Sequence, residues 1–274
     1  MQIRPYGAAC GAAVEGVQLS DLSDDQFEQL RGHFWQHGLL FFEDQELSPD
    51  QHLAFARRWG PVVVNKFFPA SSAHPEIAEV RKEKAQKMNV GGGWHADHSY
   101  DEEPALGSIL LARELPESGG DTLFANMYAA YDALSDGLKE TLGTLRAVHS
   151  NRHIYGKGGL YEKTDLAPLL KGGDRVGDAV HPVVITHPDS GRRALYVNPG
   201  HTLHFEGWTG GESRPLLGFL YEHATRPEFT CRFRWTPGAV ALWDNRCTWH
   251  YAVNDYHGER RLMHRITLTG SAIS

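Results

Sequence analysis

Phe229-Thr-Cys-Arg-Phe-Arg-Trp235 and, four residues on, Ala239-Val-Ala-Leu-Trp243 decide the fold. In the first stretch Phe229, Cys231, Phe233 and Trp235 alternate with polar residues, the period of two that turns one face of a strand to a core. Similar reasoning places strands at residues 108–112, 183–186, 194–198, 239–243 and 261–269. Many short strands, with few helices between the later ones, predict an antiparallel sandwich or jelly roll with the early helices packed outside.

Four helices carry their own punctuation. Ser23-Asp-Asp-Gln26 has capping-box spacing ahead of Phe27, Leu30 and Phe34, and Gly38 closes the run. After the apolar strand Leu39-Leu-Phe-Phe42, Ser48-Pro-Asp-Gln51 opens a second helix that reaches Trp59 and stops at Gly60-Pro61. A third helical region spans 126–145, with Tyr128, Tyr131, Leu134, Leu138, Leu142 and Leu145 at three- or four-residue spacing and a break near Ser135. Thr209-Gly-Gly-Glu212 caps a fourth helix, which sets Leu216, Leu217, Leu220 and His223 on one face.

Composition narrows the class. With 274 residues and 41% hydrophobic content the chain can bury one large core, so 1–274 is expected to be a single domain. A net charge of −7 with no run of Lys and Arg speaks against a nucleic-acid partner. No stretch approaches the roughly 20 apolar residues of a membrane span, and the opening MQIRPYGAAC has no secretory apolar run. A soluble, cytoplasmic protein with a small-molecule partner is expected. Cys10, Cys231 and Cys247 form no CxxC pair and read as packing residues. Residues 151–178, rich in Gly, Lys and Asp, read as a long loop of the kind that closes over a site.

The chemistry begins at Trp94-His-Ala-Asp-His98. On a strand, His95 and Asp97 share a face, and an imidazole with a carboxylate suits Fe(II), Mn(II) or Zn(II). Far along the chain, Trp243-Asp-Asn-Arg-Cys-Thr-Trp-His250 delivers a second histidine. Two histidines and one carboxylate on one face of an octahedral ion leave three positions open, the number needed by a bidentate 2-oxo acid and O2. A doubly charged oxo acid needs a counter-charge at its far end. Arg261 and Arg265, on one face of the last strand with Met263 and Thr267, offer the planar fork that meets a carboxylate.

These residues resemble the taurine dioxygenase and phenoxyacetate dioxygenase group of Fe(II)/2-oxoglutarate enzymes. The resemblance covers nearly the whole chain and rests on Trp94-His-Ala-Asp97, Ser118-Gly-Gly-Asp-Thr122, Trp243-Asp-Asn-Arg246, His250 and Arg260-Arg-Leu-Met-His-Arg265. It implies a mainly β fold with flanking helices, a double-stranded β-helix of the cupin-like jelly-roll type. It implies His95, Asp97 and His250 as iron ligands, and Thr122 and Arg261 on 2-oxoglutarate. Trp243 falls where the family places an indole near the cofactor, or is a core aromatic. Arg265 takes the family's position for the substrate's acid group, which implies a small anionic substrate. His98, Lys66 and Asn198 are further substrate-binding candidates, as are Tyr196 and His201 by location. At Lys66 and Gly91 the chain departs from the taurine enzyme, so taurine itself is not implied. Family members are commonly dimers or tetramers, which implies a homo-oligomer.

The expected reaction is hydroxylation of a sulfonate, sulfate ester, aryloxyalkanoate or carboxylate, with release of succinate and CO2. A zinc-type hydrolase on the same three ligands, and a non-catalytic sensor of an oxo acid, are the alternatives.

Overall fold

The computed structural model describes residues 1–71, 73–169 and 176–274. Three capping boxes form as their spacing predicts. Ser23 with Gln26, Ser48 with Gln51 and Thr209 with Glu212 exchange side-chain and backbone hydrogen bonds at the starts of Asp24–His37, Pro49–Trp59 and Gly210–Ala224. Each box satisfies two of the N–H groups that a helix start leaves free. The third helical region divides at Ser135 into Met127–Asp132 and Asp136–Leu142, the first capped by the side chain of Asn126. No helix among the described residues is long and apolar enough to cross a membrane.

Nine strands among the described residues join in one sheet. Its order is Gln2–Pro5, Ala12–Glu15, Leu39–Phe42, Val240–Asp244, Gly107–Glu114, Arg261–Leu268, His74–Lys82 and Ala70–Ser71, with Val62–Val63 also paired to Arg261–Leu268. All its pairs are antiparallel except Ala12–Glu15 with Leu39–Phe42. A facing sheet runs Thr230–Phe233, Thr122–Asn126, Thr248–Ala252. Two small sheets, Asp178–Pro182 with Arg146–Ser150 and Thr202–Phe205, and Val184–Thr186 with Arg193–Leu195, extend the structure beside it.

Alternation along the central strands sorts their side chains between two cores. Leu39, Phe41, Leu110, Ala241, Trp243 and Met263 point into the sandwich, where they meet Phe124 and Phe233 of the facing sheet and Trp235 just beyond it. Leu40, Phe42, Ile109, Leu111, Val240, Leu242 and Ile266 point outwards, where Phe27, Leu30, Phe34, Leu53 and Phe55 of the first two helices cover them. A strand slipped by one residue would exchange the two sets, so both layers fix the register.

Several expectations change. Strands at His74–Lys82, Thr122–Asn126, Arg146–Ser150, Asp178–Pro182, Thr202–Phe205 and Thr248–Ala252 were not predicted, and the predicted strands at 194–198 and 229–235 shorten to Arg193–Leu195 and Thr230–Phe233. The predicted loop at 151–178 is not featureless. It contains a helical turn at Arg152–Tyr155 and 3-10 turns at Tyr161–Lys163 and Ala167–Leu169. Tyr155 stacks on Phe67 with ring centroids 4.4 Å apart, and Tyr161, Leu166 and Leu169 join the same apolar cluster. The part of that loop at 170–175, with Lys171-Gly-Gly173, lies outside the described residues.

Candidate metal and oxo-acid site

His95 and His250 face each other across a single antiparallel bridge, where each N–H donates to the other's carbonyl at 3.1 and 2.9 Å. The expected strand through 95–97 is therefore only one bridged residue, followed by a turn in which His98 adopts a φ of +60° and its carbonyl accepts the N–H of Asp101. Asp97 still returns to the same side. Its Oδ1 stands 3.7 Å from His95 Nε2 and its Oδ2 3.7 Å from His250 Nε2. One donor atom from each of the three residues lies within 4.8 Å of the other two.

Neighbours aim each donor. The Nδ1–H of His95 donates to the carbonyl of Gly93 at 2.7 Å, which leaves the Nε2 lone pair free. Gly200 packs so closely on this residue that an added Cβ would stand 2.6 Å from His95 Cβ. The ring of His250 lies between Trp243, at 4.7 Å, and Phe124, at 6.3 Å. Burial pushes the His250 imidazole well below its ordinary range, reinforced by His95, so its ring stays neutral and able to ligate. Asp97 accepts from Ser108 Oγ at 3.2 Å and from Arg265 Nη1 at 3.3 Å to both oxygens. Burial alone would raise its carboxyl, but the Arg265 guanidinium outweighs it and holds the group charged well below the usual carboxylate range. Two imidazoles, that of His250 held neutral by burial, with a carboxylate held charged make a donor set that fits a divalent ion.

Arg261 sits four residues along the strand from Arg265, about 13 Å between Cα atoms at the rise of a strand. It is buried, and its Nε and Nη2 have no acceptor among the described residues. The guanidinium lies 5.7 Å from the Trp235 ring, and Trp235 Nε1 donates to Thr122 Oγ1 at 3.0 Å. Buried N–H groups on a cation without an acceptor are costly, and a carboxylate would satisfy them. Arg261 and Thr122 thus fit the far end of an oxo acid.

A cavity of about 300 Å³ opens at His95 and Asp97. His95, Asp97, Arg265 and His201 form its polar end, while Phe68, Val90, Trp94, Ile154, Tyr155 and Leu160 line its walls. Burial, then His95, pushes the His201 imidazole down to about 3.

Other candidates are placed differently. Lys66 is exposed and does not line the cavity, whereas Phe68, two residues on, does. The His98 ring is committed to Asp101 Oδ2 at 2.9 Å and is also absent from the lining, because its left-handed backbone turns it away. Asn198 is buried and fully engaged: its side chain donates to Ser99 Oγ and accepts the N–H of His201. It anchors the Pro199-Gly200-His201 wall without facing the cavity. Tyr196 is buried outside the lining. Trp243 is both a core aromatic and a wall for His250, with its Nε1 donating to Asn245 at 2.8 Å.

Sequence reasoning missed Phe68, Val90, Tyr155, Tyr161 and Trp235. The aromatics of 155 and 161 inside a Gly-rich loop were the available signal. His187, Asp244 and Cys247 also converge. There, however, His187 Nδ1 accepts from the N–H groups of Asp189 and Ser190, its Nε2 donates to Asp244, and Arg246 takes the remaining carboxylate bonds. That cluster is a satisfied structural knot that locks the turn before the His250 strand.

A jelly roll carrying this site defines a class, and residues 2–267 match the model of the taurine catabolism dioxygenase TauD, TfdA family. The chain belongs to that family. It is 36% identical to an alpha-ketoglutarate-dependent sulfate ester dioxygenase of Pseudomonas putida over 98% of this chain and 90% of that protein. It is 35% identical to an (S)-phenoxypropionate/alpha-ketoglutarate-dioxygenase of Sphingobium herbicidovorans over 99% and 96% of the two chains. The crystal structure of AAD-2 in complex with Mn(II) and N-oxalylglycine superposes with a TM-score of 0.81, at 29% identity and 98% coverage of both chains.

Proposed function

We propose that His95, Asp97 and His250 hold Fe(II), that Arg261 and Thr122 take the distal carboxylate of 2-oxoglutarate, and that a small organic anion is hydroxylated in the adjoining cavity with release of succinate and CO2. The convergence of three donor atoms within 4.8 Å carries this reading. Bound Fe(II) would couple O2 to decarboxylation of the oxo acid and to oxidation of a substrate C–H bond.

The chain's own residues bind, aim and exclude. Arg261 fixes one end of the co-substrate through two N–H groups that have no acceptor among the described residues. Arg265, which faces both the cavity and Asp97, presents a positive charge to the acid group of the substrate. Tyr155, Leu160 and Tyr161 wall the cavity against water.

The cavity favours an anion with an apolar body. Among the described residues Asp97 is the only carboxylate in its lining and is already paired with Arg265, so an ammonium group such as that of taurine finds no partner among them. Sulfate esters and phenoxypropionates, the compounds for which the two relatives are named, combine an acid group with an apolar body. The same reading makes residues 1–274 one catalytic domain, working in the cytoplasm as a homodimer or homotetramer.

The test is succinate release from protein loaded with Fe(II) and 2-oxoglutarate, then given oxygen with hexyl sulfate, 2-aryloxypropionates, alkyl sulfonates or taurine. Stimulation by an apolar-bodied anion, and much less by taurine, is expected. Substrate cleavage without oxygen uptake would instead establish a zinc-type hydrolase.

A further inference from the structure

The segment 161–165 grips the loop ahead of His95 at contacts that the chemistry of the site does not itself demand. Tyr161 Oη accepts the N–H of Gly91 at 3.2 Å. The carboxylate of Asp165 accepts the N–H groups of Lys87 and Met88, and its carbonyl accepts from Gln86 Nε2. The strand Thr248–Ala252 holds the loop from the other side. The N–H of Ala252 donates to Gly91 O at 2.9 Å, and Asn89 Nδ2 donates to Ala252 O at 2.9 Å.

Between these two grips Gly91 has a φ of +78°, and a carbon added to it would stand 3.3 Å from Cε1 and 3.8 Å from Nε2 of His95. The Gly91 peptide is thus the surface on which the ligand-bearing edge of the His95 ring rests. The far edge is tied as well: Gly93 donates its N–H to Gly91 O at 2.9 Å and offers its own carbonyl to His95 Nδ1. Moving Gly91 therefore moves both supports of the imidazole. Tyr161 itself lines the cavity, so the group that sets Gly91 also touches whatever fills the site.

We infer that Tyr161 is a positioning residue for His95. Its hydroxyl holds the Gly91 peptide in place, so that the cover formed by residues 155–169 and the aim of a metal ligand are set together. The inference rests on the reading of His95, Asp97 and His250 as metal ligands. It differs from ordinary packing, in which the Tyr161 ring matters within the Phe67, Phe68 and Leu166 cluster and its hydroxyl does not.

The test compares Tyr161→Phe, which keeps the ring, with Leu166→Ala, which opens the same cluster without touching the Gly91 bond. Mn(II) affinity and the spectrum of the bound ion are read by electron paramagnetic resonance, alongside thermal unfolding. Loss of one hydrogen bond to the Gly91 peptide should weaken Mn(II) binding about 3- to 10-fold and broaden the bound-ion spectrum, with little change in Tm. Leu166→Ala should lower Tm by several degrees and leave Mn(II) affinity within about twofold. Wild-type affinity and spectrum in Tyr161→Phe, or equal weakening in both variants, overturns the inference alone. Failure of the wild-type chain to bind Mn(II) overturns the ligand reading and this inference with it.

Discussion

Replacing Arg261 with Met should act in opposite directions on stability and on co-substrate binding. The side chain is buried, burial pushes its guanidinium below the ordinary arginine range, and its Nε and Nη2 find no acceptor among the described residues. Two charge-assisted hydrogen bonds to a carboxylate are worth about 1.5–3 kcal/mol each, so their loss should weaken 2-oxoglutarate binding by about 3–6 kcal/mol, or roughly 10²- to 10⁴-fold. In the free protein, Met of similar volume removes an unpaired buried cation. That should stabilise the fold by about 1–3 kcal/mol, at about 2–4 °C of Tm per kcal/mol for a chain of this size. Thermal unfolding with Mn(II), with and without N-oxalylglycine, reads both effects. The wild-type Tm should rise with the oxo acid, by the equivalent of about 2.7 kcal/mol at a hundredfold excess over Kd. The variant should start higher and not respond. A variant that starts lower than wild type, or that gains as much from N-oxalylglycine, refutes the assignment of Arg261.

Three further changes separate parts of the site from the scaffold. Gly200→Val puts a side chain where an added Cβ alone would stand 2.6 Å from His95 Cβ, so Mn(II) affinity should fall at least tenfold by calorimetry; unchanged affinity would show that His95 is not held by this contact. Lys66→Ala removes an exposed side chain outside the cavity lining and should leave kcat/KM within about twofold, whereas a tenfold loss would restore Lys66 to the substrate site. His52 is buried with both ring nitrogens unpartnered among the described residues, and burial pushes it down to about 3. Unfolding lets it take up a proton below about pH 6.5, so its neutral burial is favourable above that pH and destabilises progressively as pH falls towards 3, by up to about 1.4 kcal/mol per pH unit. His52→Leu should therefore gain stability over wild type in urea unfolding at pH 5 relative to pH 7; an identical difference at both pH values would contradict this.

Much of the fold was readable because local chemistry and tertiary structure agree. The boxes at Ser23, Ser48 and Thr209 need only their own four residues, and the alternation at Phe229–Trp235 needs only a core to face. His74–Lys82 and Thr248–Ala252 were harder, since their strand character comes from neighbours: Arg261–Leu268 pairs with the first and Thr122–Asn126 with the second. The triad was legible through residue types, but its mechanism of assembly was not. The single bridge between His95 and His250 depends on a contact across more than 150 residues, and the turn at His98 puts a non-glycine residue at a left-handed φ. Arg265 was visible as a cation on the strand face of Arg261, yet its bond to Asp97 was not. Of the cavity wall, His201 and the covering segment within 151–178 were anticipated, whereas Phe68, Tyr155 and Leu160 were not singled out, because they come from segments that carry no period.

Anomalous diffraction from crystals grown with Mn(II) and N-oxalylglycine would probe the three-ligand centre most directly. One manganese peak about 2.0–2.3 Å from His95 Nε2, His250 Nε2 and an Asp97 oxygen is predicted. A peak bound to only one of these residues, or placed at His187 and Asp244, would contradict it.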